Sequence, residues 1–468
     1  MFLDIDKKDP KRIAAVEDTG KQITYGELCD LSNEIVEAIP ERSIIFCLCE
    51  NTIGALSGYI GCLSHKIVPL LLAANTDQEL LVKLIETYEP QFFWCPEEKE
   101  LPLQTEMIIQ KAGYKLVKTE YKQYEINEKL SLLLTTSGST GSPKLVRYKY
   151  GNLEANAKNV AKVFGWTEME RPVIDLPMQY TMGLNVINTH LYVGATLIMT
   201  TQNLVSRDFW NYIEEQKATN FTGVPFSYEV FFKLRFNKKE FPTLTTLAEG
   251  GGKLTDTMFM DLVEYSQKYN KRFCATFGTT ETSARLAYLD PDRAKEKCGS
   301  IGKAIPEGEL FLIDKNGQEI QEMEAEGEMG YRGPNVTMGY GICKEDLKLG
   351  DVWKGEYRTG DIARRDSEGF YYIIGRISRF LKIYGHRISL DQCEKLIKTK
   401  FAIDCACTGN DKCLKIFITE EQYSKDILKY LSEKLHLMQN VMKISVIEAI
   451  PRNESGKIKY AVLNKMEL

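Results

Sequence analysis

The chain has no basic surplus, no paired-cysteine motif, few histidines and no long uninterrupted apolar run. Each shortage removes a class of function. Lys and Arg number 60 against 65 Asp and Glu, a formal net charge of −5, so no cationic excess exists to neutralise a nucleic-acid backbone. The 12 cysteines contain no CxxC. Cys405 and Cys407 form only a CxC in an apolar segment, which reads as buried thiols rather than metal ligands and suits a reducing, cytoplasmic setting. The four histidines, at 65, 190, 386 and 436, form no HExxH, so zinc hydrolysis is unsupported. The longest apolar stretch, "IGCLSHKIVPLLLAA" (60–74), is broken by His65, Lys66 and Pro69 and is too interrupted to span a bilayer. The N-terminal "MFLDIDKKDPKR" lacks the apolar stretch of a signal peptide. Neither a GxSxG nucleophile elbow nor a GxxxxGK[ST] loop occurs, which argues against a serine hydrolase and a P-loop kinase or NTPase.

What is present is an ordinary globular composition, 43% hydrophobic and 27% charged over 468 residues, more than one domain needs. The early chain alternates helix-like and strand-like patterns. "TYGELCDLSNEIVEAI" (24–39) has helical spacing with Thr24 and Glu27 placed as a capping box. "SIIFCLCE" (43–50) reads as a buried strand, "GALSGYIGCLSH" (54–65) as a helix and "IVPLLLA" (67–73) as a strand. That alternation predicts a parallel-type sheet covered by helices. After about residue 300, "GELFLID", "GEMGYRG" and "GFYYIIGR" are short strands between turn residues, predicting a small β subdomain. Beyond Arg376, two helical and two strand-like segments predict a separate α+β unit. The expected division is a large α/β domain, residues 1–376, and a small mobile domain, 377–468.

"LLLTTSGSTGSPKLVRY" (132–148) ends a strand in small and hydroxylic residues and then a lysine. Such residues let backbone N–H groups approach an anion while hydroxyls and an ammonium add donors, so the loop suits a triphosphate. The alternative is a solvated surface loop.

The segment "TTSGSTGSPK" resembles the phosphate loop of the adenylate-forming superfamily, which comprises acyl-CoA synthetases, peptide-synthetase adenylation domains and luciferases. Further motifs of that family follow in order. "ATFGTTET" (275–282) resembles its YGxTE motif, with Phe277 for Tyr. "YRTGD" (357–361) matches its TGD, "GRISRFLKIYGHRIS" (375–389) its hinge motif and "PRNESGKIKY" (451–460) its C-terminal PRTxSGKIxR. The resemblance covers nearly the whole chain.

It implies a ligase that joins a carboxylate to the α-phosphate of ATP with Mg²⁺, releases pyrophosphate, and passes the acyl group to a thiol, most commonly that of CoA. Thr136, Ser137, Gly138, Ser139, Thr140, Gly141 and Lys144 would wrap the β- and γ-phosphates. Thr276, Phe277, Gly278 and Thr279 would line the nucleotide, Thr280 would contact phosphate, and Glu281 would hold Mg²⁺, where the plain alternative is a capping Glu. Gly251 and Gly252 in "EGGGKL" would lie beside adenine and the acyl group, or form a plain turn. Asp361 would accept both ribose hydroxyls. Arg376 would contact ribose or phosphate, or pair with an acidic side chain. Lys457 would bridge the carboxylate and the α-phosphate. Ser378 stands at the hinge position, where Asp or Lys is usual. Lys382 and Gly385 would meet the acceptor.

For the acid, Tyr180 in "PMQYTMGLNVI" matches an aromatic or His position. Met182, Asn185, Val186, Phe221 and Val224 are candidate walls, with core packing as the alternative. No Asp lies between Pro177 and His190 to hold an ammonium, and Asp175 precedes the segment. This points to a simple acyl or aryl acid rather than an α-amino acid. The acceptor is expected to be a separate molecule: CoA, or alternatively a carrier-protein thiol or an amine. A catalytically silent nucleotide-binding homologue is the reading of another class, against which stand Lys457, Glu281 and Asp361.

Overall fold

The computed structural model describes residues 1–135, 144–383, 386–435, 437–452 and 457–466. It is a mixed α/β chain in two compact units. One takes in most of residues 1–309 with Arg332–Tyr357; the other holds Leu310–Tyr331 and Arg358–Leu468. The strands Glu309–Ile313, Ala325–Arg332, Glu356–Arg365 and Tyr371–Arg376 form one four-stranded sheet, in that order, which is the expected β subdomain.

In the first unit the strands Ile44–Cys49, Val68–Ala73 and Phe92–Pro96 lie parallel at the centre of an eight-stranded sheet. They are continuous apolar runs because both faces are covered. The sheet is parallel only at its centre. Leu145–Lys149 runs antiparallel to Leu130–Thr135, with Thr135 opposite Leu145, so the ends of the hydroxyl-rich loop are pinned side by side. The loop itself, residues 136–143, lies outside the described residues. Thr24 and Glu27 do form a capping box, and the helix they start runs Tyr25–Val36. Beside it the helix Ile53–Ser64 is buried on nearly every side.

A second, five-stranded sheet carries the predicted nucleotide motifs. Asn220–Gly223, Thr246–Glu249 and Arg272–Thr279 are parallel, and Ala284–Tyr288 returns antiparallel. The helix Thr181–Val193, capped at its end by Gly194 in the left-handed region, packs on this layer.

In the second unit, residues 390–446 give two amphipathic helices, Leu390–Phe401 and Ser424–Leu435, on a three-stranded sheet. The third strand, Cys405–Asn410, was not foreseen as a strand. Its Cys405 and Cys407 point into the core as free thiols, and burial pushes the Cys405 thiol up to about 12. Among the described residues no helix is long and apolar enough to cross a membrane.

One charged cluster ties this unit together. Arg379 donates to Asp391 and to Glu394 Oε1 (2.6 Å) and stacks 3.7 Å from the Tyr460 ring centroid. Tyr460 donates its hydroxyl to Glu394, and the Cys407 N–H donates to the same carboxylate at 2.7 Å. Burial pushes the Glu394 carboxyl up and the guanidinium pulls it back. Removing one partner of a buried pair leaves the other uncompensated. Arg379→Met is expected to cost about 3–5 kcal/mol, read by hydrogen exchange across 390–446. Unchanged protection there would contradict this role.

Candidate functional site

The strand Arg272–Thr279 ends in the predicted motif, and its geometry is dictated by one glycine. Gly278 sits opposite Arg285 in a hairpin so tight that a Cβ would lie 1.4 Å from the Ala284 carbonyl oxygen. The turn that follows, Thr280–Thr282, is clamped from several directions. Tyr148 donates its hydroxyl to the Thr280 carbonyl at 2.6 Å, and Thr181 Oγ1 donates to Thr280 Oγ1 at 3.0 Å. The Thr337 N–H and hydroxyl both donate to the Glu281 carbonyl at 3.0 Å. Asn335 donates to the Thr282 carbonyl and accepts, on its own carbonyl, from Ser283.

The backbone clamp leaves the Glu281 side chain as the projecting group. Tyr340 donates its hydroxyl to Glu281 Oε1 at 2.7 Å, and the Lys144 ammonium lies 4.8 Å from the Tyr340 ring centroid. Lys144, the last residue of the phosphate-loop motif, is thereby brought near the carboxylate. Glu281 Oε2 has no partner among the described residues. A hard, oxygen-seeking cation fits this arrangement, with one carboxylate oxygen oriented by a phenol and the other open.

The predicted pocket residues converge on the glycine turn. Gly251 has φ +83°, and a Cβ there would meet the Tyr180 hydroxyl at 2.4 Å and Val224 Cγ1 at 3.3 Å. A Cβ on Gly250 would meet Met182 Cε at 2.5 Å and Thr276 Oγ1 at 2.8 Å. Gly252 abuts Pro225. Leu176, Met182, Val224 and Tyr180 form one apolar cluster, and burial pushes the Tyr180 phenol up to about 12. Thr276 donates its hydroxyl to the Glu249 carbonyl at 2.6 Å. Asn185 is one turn below Met182 and bonds to Asn156 and Arg285. Phe221 instead packs among Trp210 and Tyr228, and Val186 lies in the main core.

In the second unit Asp361 lies opposite Arg376 across the strand pair, and Arg376 Nε donates to Asp361 Oδ1 at 2.7 Å. Asp361 is 1% exposed, and its Oδ2 is buried with no partner. Burial pushes the carboxyl up against the pull of Arg376. A buried acceptor left unmade is costly, and a ligand hydroxyl is the donor that would satisfy it. Lys457 is exposed, next to the Arg452–Ile458 bridge. Thr136, Ser137, Gly138, Ser139, Thr140 and Gly141, as well as Gly385, lie outside the described residues, as do the side chains of Ser378 and Lys382.

Residues 4–341 match the AMP-binding enzyme family. The chain belongs to that family. It is 24% identical to a 2-succinylbenzoate–CoA ligase of Bacillus velezensis over 98% of this chain and 96% of that protein. It is 27% identical to an oxalate–CoA ligase of Arabidopsis thaliana over 71% of this chain and 66% of that protein. Its fold is that of O-succinylbenzoate coenzyme A synthetase from Bacillus subtilis in complex with ATP and a magnesium ion, with a TM-score of 0.80 at 21% identity, covering 99% of this chain and 98% of the other.

This AMP-binding enzyme also gathers around the Glu281 turn residues that motif reading did not reach. Tyr148, Thr181, Asn335, Thr337 and Tyr340 are brought to the Glu281 turn only by tertiary folding. Asn335, Thr337 and Tyr340 share one sequence signal, the "GPNVTMGY" segment (333–340), which is polar and small yet largely buried.

Asp175, just before the acyl segment, is half-buried, with its Oδ1 enclosed and unpartnered. Burial raises its carboxyl from 3.8 to about 7. The folded chain therefore keeps this proton at pH values where the unfolded chain releases it. Its contribution to stability is present at low pH and falls as pH rises from about 4 to about 7. Asp175→Asn is expected to melt higher than wild type at pH 8 and near wild type at pH 4. An equal difference at both pH values, by thermal unfolding, would contradict the buried titration.

Proposed function

We propose that this AMP-binding enzyme activates a small carboxylic acid with ATP and transfers the acyl group to CoA. In the first step a carboxylate oxygen attacks the α-phosphorus. A C–O–P bond forms, the bond to the β-phosphate oxygen breaks, and pyrophosphate leaves. In the second step the thiolate sulfur attacks the acyl carbon, a C–S bond forms and AMP leaves. The observation that carries the reading is the buried, unpartnered oxygen of Asp361 in a matched TGD motif, which suits a ribose hydroxyl.

Relatives named for CoA ligation support CoA as the acceptor over a carrier-protein thiol or an amine. Glu281, held by Tyr340, is the residue to bind Mg²⁺, which when present neutralises phosphate charge. Lys144 and the preceding loop contact the β- and γ-phosphates, and Thr280 contacts phosphate. Gly251, Gly252 and the Thr276–Thr279 strand end flank the nucleotide. Tyr180, Met182 and Val224 wall the acyl group, with Asn185 beneath. In this reading residues 377–468 move about Ser378. They first present Lys457 to the carboxylate and α-phosphate, then Lys382 and Gly385 to the acceptor. The abundance of free thiols favours a reducing cytoplasmic home.

Lys457→Ala is expected to abolish pyrophosphate release yet retain thioester formation from supplied acyl-AMP. Equal loss of both half-reactions would contradict the assignment. Tyr340→Phe removes one bond to Glu281 and is expected to weaken magnesium-dependent ATP binding about 10- to 100-fold by calorimetry. Affinity equal to wild type would detach Tyr340 from the metal.

A further inference from the structure

Among the described residues the Glu281 carboxylate has one partner, the Tyr340 hydroxyl, and that hydroxyl has a neighbour of its own. Tyr357 Oη lies 3.4 Å from Tyr340 Oη. A phenol carries a single proton. Tyr340 gives its proton to the bond with Glu281 Oε1 at 2.7 Å, so between the two phenols only Tyr357 can donate. The bonds therefore run one way, from Tyr357 to Tyr340 to Glu281. Each donor in such a chain polarises the next. The contact between the phenols is long for an O–H···O bond, and a small shift of either ring would break it.

Trp353 sets the spacing of the two rings. Its indole meets the Tyr340 ring edge-on, with centroids 5.0 Å apart and planes at 85°, and lies 4.7 Å from the Tyr357 ring at 52°. Aromatic pairs attract at both separations, so one side chain braces both phenols. The turn that carries Trp353 is fixed by the strand Leu145–Lys149. Lys149 Nζ donates to Asp351 Oδ2 at 2.5 Å, Arg147 Nη2 to the Gly350 carbonyl at 3.3 Å, and the Val352 N–H to the Met338 carbonyl at 2.9 Å. Arg147 Nε also donates to the Tyr340 carbonyl at 3.0 Å. Lys354 takes φ +51°, a left-handed conformation that a residue with a side chain adopts at a cost, and its N–H donates to Asp351 Oδ1 at 2.7 Å. Trp94, Trp166 and Trp210 are buried core residues. Trp353 is half-exposed and packs on the two phenols instead.

We propose that Trp353 and Tyr357 are positioning residues of the magnesium site, which together aim the Tyr340 hydroxyl at Glu281. The inference rests on the reading of Glu281 as the magnesium-binding carboxylate. Neither residue has to touch metal or nucleotide. Trp353 holds the ring spacing, and Tyr357 supplies the proton that satisfies the Tyr340 oxygen. Glu281 keeps one oxygen oriented and one open. Outer partners of this kind tune how well a carboxylate binds a cation.

The test is calorimetric titration of the full chain with ATP, in excess Mg²⁺ and again in EDTA, which needs no acid and no turnover. Wild type is expected to bind ATP more tightly with Mg²⁺. Trp353→Leu is expected to lose about 10-fold of the magnesium-dependent affinity, with affinity in EDTA unchanged. Trp353→Phe keeps an aromatic edge and is expected to recover most of that loss. Tyr357→Phe removes one oxygen from a half-exposed side chain and is expected to lose about 5-fold. In a Tyr340→Phe background the same change is expected to lose nothing further, because its effect passes through Tyr340. Equal losses from Tyr357→Phe in the two backgrounds would overturn the relay. So would a folded Trp353→Leu protein with wild-type magnesium dependence, or a Trp353→Phe protein as weak as Trp353→Leu. These results leave the reading of Glu281 standing. Wild-type affinity that is the same with and without Mg²⁺ would overturn that reading, and this inference with it.

Discussion

The close pass of Gly278 against the Ala284 carbonyl is the constraint from which the site geometry descends. It forces a tight hairpin, the hairpin forces a one-turn helix at Thr280–Thr282, and that turn projects Glu281. Hydroxyl and amide donors from Tyr148, Thr181, Asn335 and Thr337 fix the backbone of the turn. No carboxylate oxygen is spent on holding it. Among the described residues the Glu281 side chain has one partner, Tyr340, and an open oxygen. A site built to meet a charged, shifting phosphate chain needs such rigidity, because electrostatic stabilisation works only with groups already in place.

Two kinds of buried ionisable group stand apart from Arg147, which commits its guanidinium to backbone carbonyls. Arg379 and Glu394 are mutually paired and knit the last ninety residues together. Asp361, Glu249 and Arg285 each keep at least one polar atom without a partner. Native interiors rarely leave such atoms unsatisfied without a reason. Asp361 lies in the matched TGD segment, and Arg285 bonds to Asn185 and Thr222.

The architecture was readable where local rules act alone. The Thr24–Glu27 box, the apolar strands of the central sheet and the small β subdomain all emerge from spacing. The strand Cys405–Asn410 was missed because its alternation is interrupted by Thr and Gly, and only the partner strand Cys413–Ile418 completes it. Of the residues that the resemblance implied for the site, Tyr180, Met182, Val224 and Gly251 converge in the fold, and Lys144 lies over the ring of Tyr340, which holds Glu281. Tyr340 and Arg285 were not legible. The first lies 59 residues from Glu281 and looks like an ordinary loop Tyr. The second sits in "SARLAY" as one charge within an apolar strand, and nothing local says that its head group bonds to Asn185 and Thr222.

The central claim is that a carboxylate oxygen bonds directly to the α-phosphorus. The most direct measurement is oxygen transfer. The acid that supports turnover is labelled with ¹⁸O in its carboxyl group and run with ATP, Mg²⁺ and CoA, and the products are weighed by mass spectrometry. One ¹⁸O in AMP, with none in pyrophosphate, is the expected result. Label in inorganic phosphate with ADP as the nucleotide product would contradict adenylate formation.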